Sequence, residues 1–285
     1  MKPTQDRIDT RYEEGFDQLI KLTIDIGNQL QQQPIPPGDS YVYIEGLGQK
    51  IIRHVLSAKF IGEGYQLMIG QELYEQMMDF GSVMVITRAA LEAYLTFHFL
   101  FVDPKEPDKK RFRFLCWHIG AFLDRVDHEP EQEAHIQLKA SEVRELDKYR
   151  TELKTNAYYN SITPKAQEKA FNGEWRIFDG WTKLATNAGF PESFFKQQYR
   201  LLCSYSHSGR HSVMQIHEAK THELQNNMIQ ASRAILIFVL AKFIDDYVDQ
   251  FPALQPGKKE PSYQLVRLWK HVAETINEDQ NDWPE

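Results

Sequence analysis

From Val83 to Phe101 the chain is apolar on every side except at Arg88, Glu92 and His98. A helix that is hydrophobic all round has no solvent face, so it belongs at the centre of a packed bundle. A second long pattern, from about residue 223 to 251, carries Met228, Ala231, Ile235, Phe238, Val239, Phe243 and Tyr247 at helical spacing. Two core helices, about 80–102 and 223–251, then require helical layers around them. No stretch alternates with period two between hairpin dipeptides, and no unit of about 20 to 50 residues repeats. The expected fold is all-α, a single bundle of about eight helices. It would occupy residues 1–251, with a linker at 252–261, an amphipathic helix at 262–278 and an acidic tail to 285.

The remaining segments fit that plan. Ile8, Tyr12, Phe16, Leu19, Leu22 and Ile26 mark a first helix that stops at Gln31-Gln32-Gln33 and the break from Pro34 to Gly38. Asp39 or Ser40 can cap a second helix through Ile51, Ile52, Val55 and Leu56, and a third helical pattern runs through Tyr65, Leu67, Leu73, Met77 and Met78. Gly62 and Gly64 separate the two. Asp103-Pro104 ends the core helix, and a basic link from Lys105 to Arg113 leads to Phe114, Trp117, Phe122 and Val126. Glu131 to Leu153 is mostly charged, which predicts a helix outside the core or an arm that faces a partner. Residues 158–180 read as a connection with short helical turns. Trp181 to Ala188 is a short helix closed by Gly189, and Pro191-Glu192-Ser193 opens the next.

Composition limits the function. With 285 residues, 42% hydrophobic and 26% charged, the chain has the make-up of a soluble globular protein. A net charge of −7 argues against coating nucleic acid through general electrostatics, yet permits a small local site. Cys116 and Cys203 have no C-x-x-C partner, as expected of free thiols in a reducing compartment. The N-terminal residues have no apolar stretch behind their charges, and Ala234 to Ile244, interrupted by Lys242, is about half the roughly 20 residues a membrane span requires. The expected location is the cytoplasm, with no membrane partner.

The chemistry concentrates in Tyr-Arg-Leu-Leu-Cys-Ser-Tyr-Ser-His-Ser-Gly-Arg-His, residues 199–211. On a helix, seven residues are almost two turns, so Arg200, Ser204 and His207 project from one face. A planar fork of donors, a hydroxyl and an imidazole in a row suit a phosphate or another anion. RNA cleavage would need little more, because the ribose hydroxyl is the nucleophile and the protein moves protons and stabilises charge. His211 extends the row if the helix survives Gly209. Arg88 and Glu92, four apart on the core helix, can pair with each other and supply opposing charges. A blander reading fits the same residues: a buried polar network that ties helices together, in a non-catalytic adaptor that engages a protein partner.

Other chemistries find less. Cys203 stands four residues before His207, yet amid Leu201, Leu202 and Tyr205 a cysteine is more often a small core residue. His207 and His211 lack a local third ligand, and His217-Glu218-Ala219-Lys220-Thr221-His222 has one residue too many for H-E-x-x-H. No metal and no cofactor is implied, since P-loop, G-x-G-x-x-G and G-x-S-x-G patterns do not occur.

Three short motifs carry a resemblance. Arg88-x-x-x-Glu92, Trp181-x-x-Leu184-Ala185-x-x-x-Gly189 and Tyr199-x-x-x-x-Ser204-x-x-His207 resemble a bacterial all-helical family of unknown function over roughly residues 80 to 245. The Arg200–His207 spacing also resembles, at its upper limit, that of the HEPN superfamily, whose active members cut RNA without a metal as dimers. That second resemblance implies a homodimeric ribonuclease or nucleotide-binding domain of a defence or stress system, with Arg200 stabilising phosphate and His207 transferring a proton. Leu201 departs from the polar residue usual after the arginine.

Overall fold

The computed structural model describes residues 4–34, 40–126 and 132–276. In chain order the helices are α1 (Thr4–Gln31), α2 (Ser40–Gly62), α3 (Phe80–Phe97), α4 (Pro107–Val126), α5 (Glu133–Thr155), α6 (Ala157–Ser161) and α7 (Pro164–Phe171). They continue with α8 (Trp181–Asn187), α9 (Glu192–Ser206), α10 (Arg210–Glu218), α11 (His222–Asp249) and α12 (Gln264–Thr275). The protein is predominantly α-helical, and α3 and α11 are the two long core helices that the apolar patterning predicts. Both Phe80–Val102 and His222–Asp249 are long and apolar enough to cross a bilayer by length and composition, and both are mostly buried inside the protein.

Between α2 and α3 the expected third helix is absent. Tyr65–Ile69 (β1) and Glu72–Met77 (β2) form an antiparallel hairpin in its place, with Ile69 paired to Glu72 around Gly70. Gly70 has φ 65°, a left-handed conformation that glycine adopts without steric cost. The pairing slips at Leu67/Met68, a bulge that breaks the alternation a strand would otherwise show. The Pro34–Gly38 break beyond Pro34, Asp39 as a cap, Glu131 and the acidic tail from residue 277 lie outside the described residues.

Contacts group the chain into two compact units, residues 1–97 with 185–285, and residues 98–184, where a single bundle was expected. In the first unit α11 is buried on every side from Ile235 to Ile244, and Phe97 of α3 packs edge-on against Phe243 at 5.5 Å. Gly48 on α2 makes room for Tyr247 and Phe243, since a Cβ there would stand 3.1 and 3.2 Å from their rings. The stretch expected as a linker is a 3-10 segment, Pro252–Lys259, that lies on α11. Its Leu254 is buried and its Lys258 pairs with Asp245 and Asp249. Helix α12 is likewise tied to α11, through Lys270–Asp245 and through Glu274, which pairs at 2.6 Å with the buried Lys242. Burial lowers the Lys242 pKa even so, against the pull of Glu274.

In the second unit, α4 buries Phe112, Leu115, Cys116 and Ile119 against Leu146 and Leu153 of α5 and Ala170 of α7. Helix α5, predicted outside the core, contributes only those two fully buried side chains. Its polar residues instead pair across to α4 through Arg111–Glu152 and Arg125–Glu142. Burial pushes the Cys116 thiol up to about 12, so it acts as a small apolar core residue.

Candidate functional site

Helix α3 is apolar except on the strip facing α9, and this is where Arg88 and Glu92 lie. Arg88 Nε donates to Glu92 Oε1 at 2.8 Å. Tyr199 of α9 donates its hydroxyl proton to the same Glu92 oxygen at 2.6 Å and accepts from Arg88 Nη2 at 3.4 Å. The remaining end of the guanidinium, Nη1, donates to His207 Nε2 at 3.0 Å. Arg88 and Glu92 are neither buried nor free, with side chains 18% and 26% exposed, so they line the edge of the surface.

The electrostatics follow from that placement. Burial alone would lower the Arg88 pKa, but the Glu92 carboxylate and the Tyr199 oxygen outweigh it and hold it above its usual value. Burial and the adjacent Glu92 carboxylate push the Tyr199 hydroxyl far above the ordinary tyrosine range. Tyr199 therefore keeps its proton, and its ring is held parallel to Phe195 at 5.1 Å. An arginine has no acceptor, so His207 Nε2 must present a lone pair to it and the ring proton sits on Nδ1. Among the described residues Nδ1 has no hydrogen-bond partner, and His207 is exposed.

His207 stands at the C-terminal end of α9. Ser206 is its last residue, and His207 caps it with φ −116° and its N–H on the Cys203 carbonyl at 3.0 Å. Ser208 follows with φ 51°, the one non-glycine residue at positive φ among the described residues. Strained backbone of this kind clusters at functional positions. Gly209 then donates to the Ser204 carbonyl at 2.8 Å, and Ser212 donates its backbone N–H to the Ser204 hydroxyl at 3.3 Å. Ser212 Oγ lies 2.9 Å from the Ser204 carbonyl oxygen.

The residues singled out in the sequence separate accordingly. Arg88, Glu92 and His207 come together. Ser204 is spent on the α9–α10 corner and offers its hydroxyl to the backbone. Arg200 is exposed on α9 and makes no ion pair with any described residue, as does Arg210 at the start of α10. His211 is exposed but lies beyond the corner, so it does not extend an Arg200 row. In the sequence Tyr199 stands out only as the first residue of the Tyr199-x-x-x-x-Ser204-x-x-His207 motif, with no role at the site. Its signal is the Tyr199, Cys203, His207 stripe at intervals of four, one helix face shared with the half-buried Cys203.

No curated protein and no solved structure matches the chain, and none of the comparisons links it to the HEPN superfamily. A model described as a family of unknown function, DUF5677, matches residues 67–225. The match runs from β1 into α11 and encloses Arg88, Glu92, Tyr199 and His207. Since it spans more than half of the sequence, the chain belongs to this family, DUF5677.

Proposed function

We propose that the protein binds the phosphates of RNA or a nucleotide at the α9–α10 corner. The observation that carries this reading is the exposed His207 imidazole, which Arg88 orients so that its N–H points away from the protein's own acceptors. Arg200 and Arg210, exposed and without ion pairs among the described residues, add positive charge on the two helices that meet there. In a chain of net charge −7 such a patch favours a local phosphate site over general coating of nucleic acid.

The donors favour binding over cleavage. His207 offers a proton at Nδ1, whereas a ribonuclease also needs a base, and Glu92 is already held by Arg88 and Tyr199. A metal-independent ribonuclease built on this site would draw that base from elsewhere, for instance from a second copy in a homodimer. The second reading, a polar tie in a non-catalytic adaptor, is favoured by how fully Arg88, Glu92 and Tyr199 satisfy one another.

Fluorescence anisotropy with a labelled single-stranded RNA, across a salt series and beside a gel assay for cleavage, tests the proposal. Arg200→Ala should weaken binding and reduce the magnitude of the salt slope by about 0.7, and His207→Ala should weaken it with the fold retained. Absence of binding at low salt, or binding indifferent to all of Arg200→Ala, Arg210→Ala and His207→Ala, would sink it. An Arg88→Ala variant that melts early while these three leave every readout unchanged supports the structural tie.

A further inference from the structure

A second site lies away from the Arg88 cluster, in the first unit. Helices α1, α2 and α11 leave a cavity of about 90 Å³ between them, walled by Ile26, Leu30, Ile52 and Phe243 and by the rings of Tyr41 and Tyr247. Gly27 sits in the wall, in the interior of α1. A Cβ built on it meets nothing within 4 Å. Glycine weakens a helix interior relative to alanine, and nothing in the packing here demands it, so its effect is to keep the cavity open. At the edge stands Glu45, half-buried. It accepts one hydrogen bond from the neutral Gln49 amide at 3.0 Å and pairs with no cation among the described residues.

We propose that this cavity binds a short aliphatic ammonium, its hydrocarbon chain among the apolar walls and its charged head on the Glu45 carboxylate. Size sets the chain length. A cavity of about 150 Å³ holds benzene, so this one, at about 90 Å³, takes a smaller group, an ethyl or propyl chain. Charge sets the head group. A carboxylate without a cation among the described residues, in a cavity also lined by Tyr41 and Tyr247, favours an ammonium over an alcohol and repels an acid. Burial raises the pKa of both tyrosines, and Glu45 raises it further, which places its charge close to their hydroxyls.

Isothermal titration calorimetry of the full chain with ethylammonium, n-propylammonium, propan-1-ol and propanoate is the test. The two ammonium ions should bind, the propyl about fourfold tighter than the ethyl from its extra methylene. Propan-1-ol should bind at least about tenfold more weakly, and propanoate should give no binding heat. Glu45→Gln should bring propylammonium down to the level of propan-1-ol. Gly27→Leu, which fills the cavity, should abolish binding of both, and Gly27→Ala, which adds one methyl to an open space, should weaken propylammonium more than ethylammonium. Failure of all four compounds to bind, propanoate binding as well as propylammonium, or unchanged binding in both Gly27 variants overturns the proposal.

Discussion

Arg88 Nη1 donates to His207 Nε2 at 3.0 Å, joining residues 119 positions apart in the sequence. The contact fixes which imidazole nitrogen carries the proton, because a guanidinium can only donate. His207 is accordingly expected as the Nδ1–H form, the minor tautomer of free histidine. Long-range ¹H–¹⁵N spectra of the His207 ring report this directly. Arg88→Met should move the proton to Nε2 without unfolding the protein. A wild-type ring protonated at Nε2 alone would rule the arrangement out.

Tyr199 and Glu92 share the other half of the cluster. Tyr199→Phe removes the donor at 2.6 Å and leaves Glu92 to Arg88 alone, at a cost of about 1–2 kcal/mol. Glu92→Gln weakens the hold on Arg88 by a similar amount. Because both act on one hydrogen bond, the double variant should lose less than the sum, with a coupling of about 0.5–2 kcal/mol in urea unfolding. Simple additivity would mean that the two groups do not interact in solution.

The α9–α10 corner depends on the absence of a side chain at position 209. A Cβ on Gly209 would lie 2.6 Å from Ser204 Oγ and 3.3 Å from its Cα. Gly209→Ala should destabilise the fold by about 1–3 kcal/mol, with partial recovery when Ser204→Ala removes the nearer atom. Ser208→Gly acts the other way. It relieves the cost of φ 51° and should raise stability by about 0.5–1 kcal/mol. Thermal melts of the three variants check both directions.

The core was legible because Val83–Phe101 is apolar on every side except at Arg88, Glu92 and His98, and a helix so nearly apolar all round has only one place to go. The hairpin was not. Its turn is Gly70-Gln71, without the Asn-Gly signature, and the bulge at Leu67/Met68 lets Tyr65, Leu67 and Leu73 pass for a helical stripe. The division at residue 98 was hidden for another reason: α4 has the same apolar periodicity whether it packs in the first unit or in a second. At the site, Arg88 and Glu92 stood out as charges in an apolar helix. Their link to His207 did not, because it joins two helices across 119 positions, a pairing that no local spacing reveals. Spacing on α9 pointed to Arg200 and Ser204 as partners of His207; the groups bonded to Arg88 are Glu92, Tyr199 and His207.

Two adjacent aspartates on α11 predict a pH profile. Burial raises the Asp246 pKa to about 6, against the Tyr94 hydroxyl that donates to it at 2.9 Å and the charges of Lys270 and Lys242, with Asp245 adding repulsion. Burial would raise Asp245 as well, but Lys258, Lys270 and Tyr263 hold it down to about 2. An unfolded aspartate titrates near 3.9. Asp246 therefore binds its proton more tightly folded than unfolded, so its contribution to stability is complete below about pH 4 and is lost as pH rises through about 6. Asp245 works in the opposite sense: its contribution is present above about pH 4 and disappears as pH falls toward 2. Asp246→Asn cannot ionise and its amide oxygen can still accept from Tyr94. The variant should match the wild type near pH 4 and exceed it by a margin that grows to at most about 3 kcal/mol by pH 7. Urea unfolding at half-unit pH intervals measures that margin. A margin that stays flat from pH 4 to 7 would show that Asp246 titrates in the folded protein as it does in the unfolded chain.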